Sequence, residues 1–85
     1  MFSEETVRKA WDLADERCQC TRESHKHFGR CSKPLVWENR GREGIGAWEA
    51  NHINRQESGG GDELSNCEIL CWSCHKETLL KKLIQ

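Results

Sequence analysis

Cys71-Trp72-Ser73-Cys74 sets two thiols three positions apart at the start of a segment predicted to be helical. Thiolates at i and i+3 lie on one helical face and can share a tetrahedral Zn²⁺ at about 2.3 Å each. The other two ligands must come from Cys18, Cys20 and Cys31. Cys31-Ser32-Lys33-Pro34-Leu35 reads as the second ligand of a knuckle that leads into a hairpin. The first ligand is then Cys20 or Cys18 with an enlarged loop between; Cys20 is preferred and Cys18 is the alternative. His25 and His27 could replace a cysteine, but read more simply as exposed residues of a basic loop. Cys67 reads as a buried free thiol. No thioredoxin-like βαβ pattern surrounds the CxxC, so metal is the better reading than a redox pair. A metal so placed would supply much of the folding free energy of a small domain.

A second set of reactive types lies just upstream. The chain runs Trp48-Glu49-Ala50-Asn51-His52-Ile53, a Gly-rich loop, then Asn66-Cys67-Glu68-Ile69-Leu70-Cys71-Trp72-Ser73-Cys74-His75-Lys76. This resembles the HNH nuclease pattern of a His-Ile strand, a double Gly and an N-L-x-x-L-C-x-x-C-H ending, over about Cys18 to Leu80. The resemblance implies a ββα-metal site in which His52 is the general base, His75 a metal ligand on the helix, and Asn66 the residue that fixes local geometry. It also implies a DNA phosphodiester as substrate and 5′-phosphate products. The chemistry is sound on its own terms. Hydrolysis needs a water deprotonated near neutral pH, and a neutral imidazole is suited to that. It also needs a cation to neutralise charge on the leaving and non-bridging oxygens, here Mg²⁺ or Mn²⁺. Such nucleases often carry Asp or His before the base, whereas this chain has Asn51. An amide oxygen can coordinate, but without charge. Glu49 shares a strand face with Asn51 by the period of two, and could supply a carboxylate.

These groups need elements to hold them. Ser3 reads as an N-cap, Glu4 and Glu5 suit a first helical turn, and Val7, Ala10, Trp11 and Ala14 recur at helical spacing. A leading helix is expected over 1–17, from about Ser3 to Arg17, and a zinc-bound core over 18–85. Cys18 to Lys33 suits an irregular loop held by metal. Leu35-Val36-Trp37 is a strand candidate, followed by a turn region over Asn39 to Gly46 and a second strand over Ala47 to Ile53. Ser58 to Gly61 is a loop, and Leu64 to Leu70 a short strand or extended turn. From Cys71 onward Trp72, Leu79, Leu80, Leu83 and Ile84 mark a closing amphipathic helix. Trp37, Trp48 and Trp72 are most simply core. The fold class expected is small α+β: an N-terminal helix on a zinc-stapled ββα-metal core, as a single domain.

Bulk composition sets the limits. A chain of 85 residues has room for one core, marginal without a staple. No apolar run approaches a membrane span or a signal peptide, so a cytoplasmic location is expected and no membrane partner. Six cysteines in a reducing compartment point to metal. The net charge of −1 is no mark of a simple basic nucleic-acid binder. Between Arg17 and Arg42, however, Arg17, Arg22, Lys26, Arg30, Lys33, Arg40 and Arg42 face only Glu23 and Glu38. Arg42, Lys76, Arg22 and Arg30 are the candidate phosphate contacts.

The expectation is therefore a metal-dependent DNA endonuclease with one site per chain, a monomer or weak dimer. It would nick a single strand as a monomer and need a dimer or a second encounter for a double-strand break. The rival is a zinc-dependent nucleic-acid or protein binding module with a decayed site, favoured by Asn51. A component that works with a larger phage or bacterial protein is a third reading.

Overall fold

A computed structural model describes residues 1–22, 27–56 and 59–84, the last four by their backbone alone. His25, Glu23, Lys26, Ser58 and the side chains of Leu83 and Ile84 lie outside the described residues. The elements run α1 (Glu4–Ala14), β1 (Trp48–His52), β2 (Cys67–Cys71) and α2 (Trp72–Ile84), with short 3₁₀ turns at Trp37–Asn39 and Leu64–Asn66. Among the described residues no helix is long and apolar enough to cross a membrane.

α1 begins where its cap dictates, since the Ser3 hydroxyl accepts the Thr6 amide at 3.1 Å. It ends at Ala14, three residues short of the expected Arg17. Asp15 and Glu16 both turn left-handed, at φ 57° and 59°. The Arg30 guanidinium closes that end by donating to the carbonyls of Ala14, Cys18 and Arg17. The early stop swings Cys18 inward. Val7, Ala10, Trp11 and Ala14 form the buried stripe.

β1 and β2 pair antiparallel, Trp48 with Cys71 through His52 with Cys67. Trp48, Ala50 and His52 therefore share one face with Cys67, Ile69 and Cys71; Glu49 and Asn51 share the other with Glu68 and Leu70. Trp48, Ile69 and Leu70 are among the largest fully buried side chains. The Trp11 ring packs on Trp48 at 4.6 Å between centroids and edge-on to Trp37 at 5.3 Å, which fastens α1 to the sheet. Trp72 is only half-buried, with the Lys76 ammonium 5.1 Å over its ring, so it is a rim residue rather than core.

The segment Leu35-Val36-Trp37 is not a strand. Pro34 makes an isolated bridge to Arg17, and the chain then tightens into the 3₁₀ turn. The cause is visible in the bonding. The indole N–H of Trp48 donates to the carbonyls of Val36 and Trp37 at 2.9 and 3.2 Å, and the Asn39 amide turns back to the Val36 carbonyl at 2.9 Å. Those acceptors are then unavailable to a ladder. The segment over 64–70, expected as a short strand or extended turn, divides into a 3₁₀ turn and β2, which runs on to Cys71.

Candidate metal and nuclease site

Two short extended pieces bring the cysteines together. The Cys31 amide donates to the Cys20 carbonyl at 2.8 Å, Ser32 to Cys18 at 3.1 Å, and Cys18 to Lys33 at 3.0 Å. The same piece lies along β2: the Gln19 amide donates to the Ile69 carbonyl, and the Gln19 side-chain oxygen accepts the Ile69 amide, both at 2.8 Å. Cys18 and Cys20 therefore point to the same side, and both are fully buried.

The sulfurs of Cys18, Cys31, Cys71 and Cys74 lie within 4.8 Å of one another. Cys18 thus stands where spacing had favoured Cys20. Its sulfur accepts the Cys71 backbone amide at 3.2 Å, a bond that ties it to the end of β2, where α2 begins. Cys20 falls instead into an adjoining group with His27 and Cys74. His27, expected on the surface, is half-buried with Nε2 3.7 Å from the Cys74 sulfur.

The four-sulfur group fits a tetrahedral thiophilic ion. A Zn–S length of about 2.3 Å gives sulfur–sulfur edges of about 3.8 Å, so only small contraction is needed. Its charge balance points the same way. Without a cation the Cys71 thiol is pulled down to about 4 by the hydrogen bond from Cys18, against its own burial. The Cys18 thiol is pushed up by that same bond and by burial, and Cys74 is pushed up chiefly by burial. One thiolate is stabilised by its neighbours' protons, and a divalent ion is what would let all four ionise. Cys67 belongs to neither group, and burial pushes its thiol up to about 11. It is the inert buried thiol expected of it.

His52 ends β1 with its side chain about one-fifth exposed, and its Nε2 is 2.7 Å from Asp62 Oδ1. Phe2 stacks on its ring, 4.0 Å between centroids. The hydrogen bond to His52 is the first cause that holds the Asp62 carboxyl below its ordinary range, followed by the Met1 amino group. An ionised carboxylate only accepts, so Nε2 carries the proton and Nδ1 bears the lone pair of the neutral ring. Neither Asp62 nor Phe2 was singled out from the sequence. An acid directly after three glycines was the one available signal.

Asn66 is 5% exposed and fully engaged. Its oxygen accepts the Asn54 amide at 2.7 Å, and its nitrogen donates to the carbonyls of Asn54 and Gly61 at 3.0 and 2.7 Å. Its own carbonyl takes the amide of Ile53, next to His52, at 2.9 Å. One amide side chain thus ties both ends of the loop that carries Asp62. Gly60 packs beneath the Asn54 carbonyl, where any Cβ would overlap it, so the glycine is required there.

His75 and Glu49 line one shallow cavity of about 260 Å³ with Gly41, Arg42, Glu43, Trp48 and Trp72. Glu49 Oε1 accepts from Arg40 Nε at 2.8 Å and from the Ala50 amide at 2.9 Å. Asn51 does not line that cavity. Its amide nitrogen donates to Glu68 Oε1 at 3.0 Å and to the His52 carbonyl at 3.2 Å, so its oxygen is turned away from Glu68. Among the described residues no set of three His, Cys, Asp or Glu donors gathers at His75. A histidine and a carboxylate in an open cavity still suit Mg²⁺ or Mn²⁺, which keep several waters and take few protein ligands.

The four candidate phosphate contacts separate into two kinds. Arg42 borders the His75 cavity and is exposed, and Lys76 is exposed on α2. Arg22 is paired with Glu68 at 2.6 Å, and Arg30 closes the end of α1. Their guanidiniums are occupied within the fold.

The family model described as HNH endonuclease matches residues 29–78, more than half of the chain. The chain belongs to the HNH endonuclease family. The match takes in β1, the glycine loop, β2 and the first half of α2, with His52, Asn66 and His75 inside it. HNH proteins are generally nucleases that use divalent metal ions and bind nucleic acid. The architecture is that of a small α+β HNH domain, with a cysteine cluster that could hold zinc. No curated protein and no solved structure matches the chain.

Proposed function

We propose that this chain is a metal-dependent endodeoxyribonuclease that nicks one strand, with His52 as general base. The observation that carries the reading is His52 itself: a histidine at the end of β1, accessible from one side, with Nε2–H held by a carboxylate. Nδ1 is then the atom that takes the proton from the attacking water. Asp62 keeps the ring in that tautomer and faces the positive charge that the ring acquires, and Phe2 sets the ring plane. Asn66 holds the loop that delivers Asp62. His75 and Glu49, with Asn51 on the same strand face as Glu49 as a further candidate ligand, would hold Mg²⁺ or Mn²⁺, which would supply charge neutralisation at the leaving 3′ oxygen. Arg42 and Lys76 bind flanking phosphates. The sulfurs of Cys18, Cys31, Cys71 and Cys74 would hold a structural Zn²⁺ that pins Cys18 and Cys31 to β2 and α2.

The test is supercoiled plasmid incubated with Mg²⁺, Mn²⁺ or chelator, using zinc-loaded protein. Open circle formed only with added metal is the expected result. Linear product appearing without an open-circle precursor would contradict nicking by one site per chain.

A second reading is a binding module whose cleavage site has decayed. It is favoured by Asn51, which brings no charge and whose amide is engaged with Glu68. On that reading the folded, zinc-loaded protein retards DNA in a gel but leaves plasmid intact with either metal.

A further inference from the structure

Cys20 and His27 remain after the four-sulfur group is assembled, yet both converge on one of its members. The Cys20 sulfur, a ring nitrogen of His27 and the Cys74 sulfur lie within 4.8 Å of one another, and Cys74 belongs to both groups. We propose that the chain holds a second soft divalent cation of the zinc class, bound by Cys20, His27 and Cys74, with the Cys74 thiolate bridging the two ions. The proposal rests on the reading of the four-sulfur group as a zinc site.

Three observations carry it. His27 Nδ1 is 3.1 Å from the Gly29 carbonyl, an acceptor only, so Nδ1 holds the proton in the neutral ring and Nε2 presents its lone pair. Metal-ligating histidines are oriented in this way, by a carbonyl on the far nitrogen. That lone pair is aimed at the Cys74 sulfur, 3.7 Å away. Once Cys74 is a zinc-bound thiolate it has no proton to give to Nε2, so both atoms act as electron-pair donors toward the space between them. A cation there would take both.

Charge is the second. Four thiolates around one Zn²⁺ leave two net negative charges in a buried site, an unfavourable place for them. A second divalent ion, with Cys20 ionised as well, lowers that excess to one. Arg22 Nη1 lies 3.6 Å from the Cys20 sulfur and is placed to balance it.

Donor chemistry is the third. Two sulfurs and an imidazole suit Zn²⁺ and disfavour Mg²⁺ or Ca²⁺. Three protein donors leave a fourth position for a solvent oxygen. The second ion would tie the 20–31 loop to α2 at the residue before His75, and so hold the nuclease helix from two sides.

The test is metal stoichiometry by native mass spectrometry of the intact chain, with ¹¹³Cd NMR of the cadmium-substituted protein. Two ions per chain are expected, and two cadmium resonances, each split by the other through the shared sulfur. The double variant C20S/H27A should retain one ion and show a single unsplit resonance. One ion in the wild-type chain, two unsplit resonances, or two ions retained by the double variant would each overturn the proposal and leave the four-sulfur site standing. A chain that binds no zinc at all would overturn the four-sulfur reading, and this one with it.

Discussion

At the scale of single residues, the proposed chemistry rests chiefly on the pair His52 and Asp62. The Asp62 carboxyl is held below its ordinary value of 3.8 by His52, so the contact is intact at neutral pH. Because the folded carboxyl is the more acidic, whatever the contact contributes is complete above the ordinary value and fades as pH falls through the lowered one. Asp62→Asn removes the ionised acceptor. It should cut the nicking rate roughly ten- to a hundredfold, the range typical of partners that orient a functional histidine. Its effect should show as a displaced acidic limb in the pH–rate profile, with the melting temperature little changed; an unaltered profile would remove Asp62 from the account. The exposed cations make a separate prediction. Arg42→Ala and Lys76→Ala should each weaken DNA binding and lower the salt slope by about one, measured by titration at several ionic strengths. Arg30→Ala should instead lower stability, because its donors close the end of α1. His52, Asn66 and His75 could be picked out in the sequence because their order and spacing form a pattern. The Asp62 contact and the burial of His27 could not, since each depends on how an irregular loop returns to the sheet, and no periodicity records that. Arg22 and Arg30 misled for a related reason: a basic residue in a sequence does not disclose whether its donors are already taken.

Elements decide which of these residues meet. The sheet register places Glu49 and Asn51 on the face opposite His52, and α2 starts directly where β2 ends, so His75 is delivered beside Glu49. The loop between the strands depends on Asn66. Asn66→Ala removes three side-chain bonds and leaves buried partners without acceptor or donor, at a cost of about 2–3 kcal/mol. Urea unfolding should show that loss, with activity falling further than stability because Asp62 is displaced; an unchanged midpoint would mean the loop is held by other contacts. Both helices could be read from cap residues and apolar spacing, and β1 from its loose alternation, while β2 stood open between a short strand and an extended turn. The failures came at 35–37 and 15–17. In the first, the Trp48 indole claims the carbonyls that a strand would use. In the second, left-handed residues end the helix so that Cys18 can reach the sulfur cluster. Cys18 stood only as the alternative to Cys20, because spacing alone does not show which of the two sulfurs faces the other three.

For the whole molecule of 85 residues, the described residues enclose a core made of the α1 stripe, a cluster of tryptophans and the sulfur groups. A core of this size supplies only a few kcal/mol, so metal binding is expected to decide whether the chain folds. Exhaustive chelation should therefore abolish the cooperative thermal transition and much of the far-UV circular dichroism, and added Zn²⁺ should restore both. A melt unaffected by chelation would mean that the apolar core suffices alone. The same dependence would govern how any activity assay is read, since a metal-free sample would lose the fold as well as the chemistry. The most direct test of the central claim compares wild type with His52→Ala, matched for zinc content and melting temperature, on supercoiled plasmid at saturating Mg²⁺ or Mn²⁺. The account predicts that open-circle formation falls by about 10²–10⁴-fold in the variant while DNA binding is retained. Nicking by His52→Ala at the wild-type rate would contradict it.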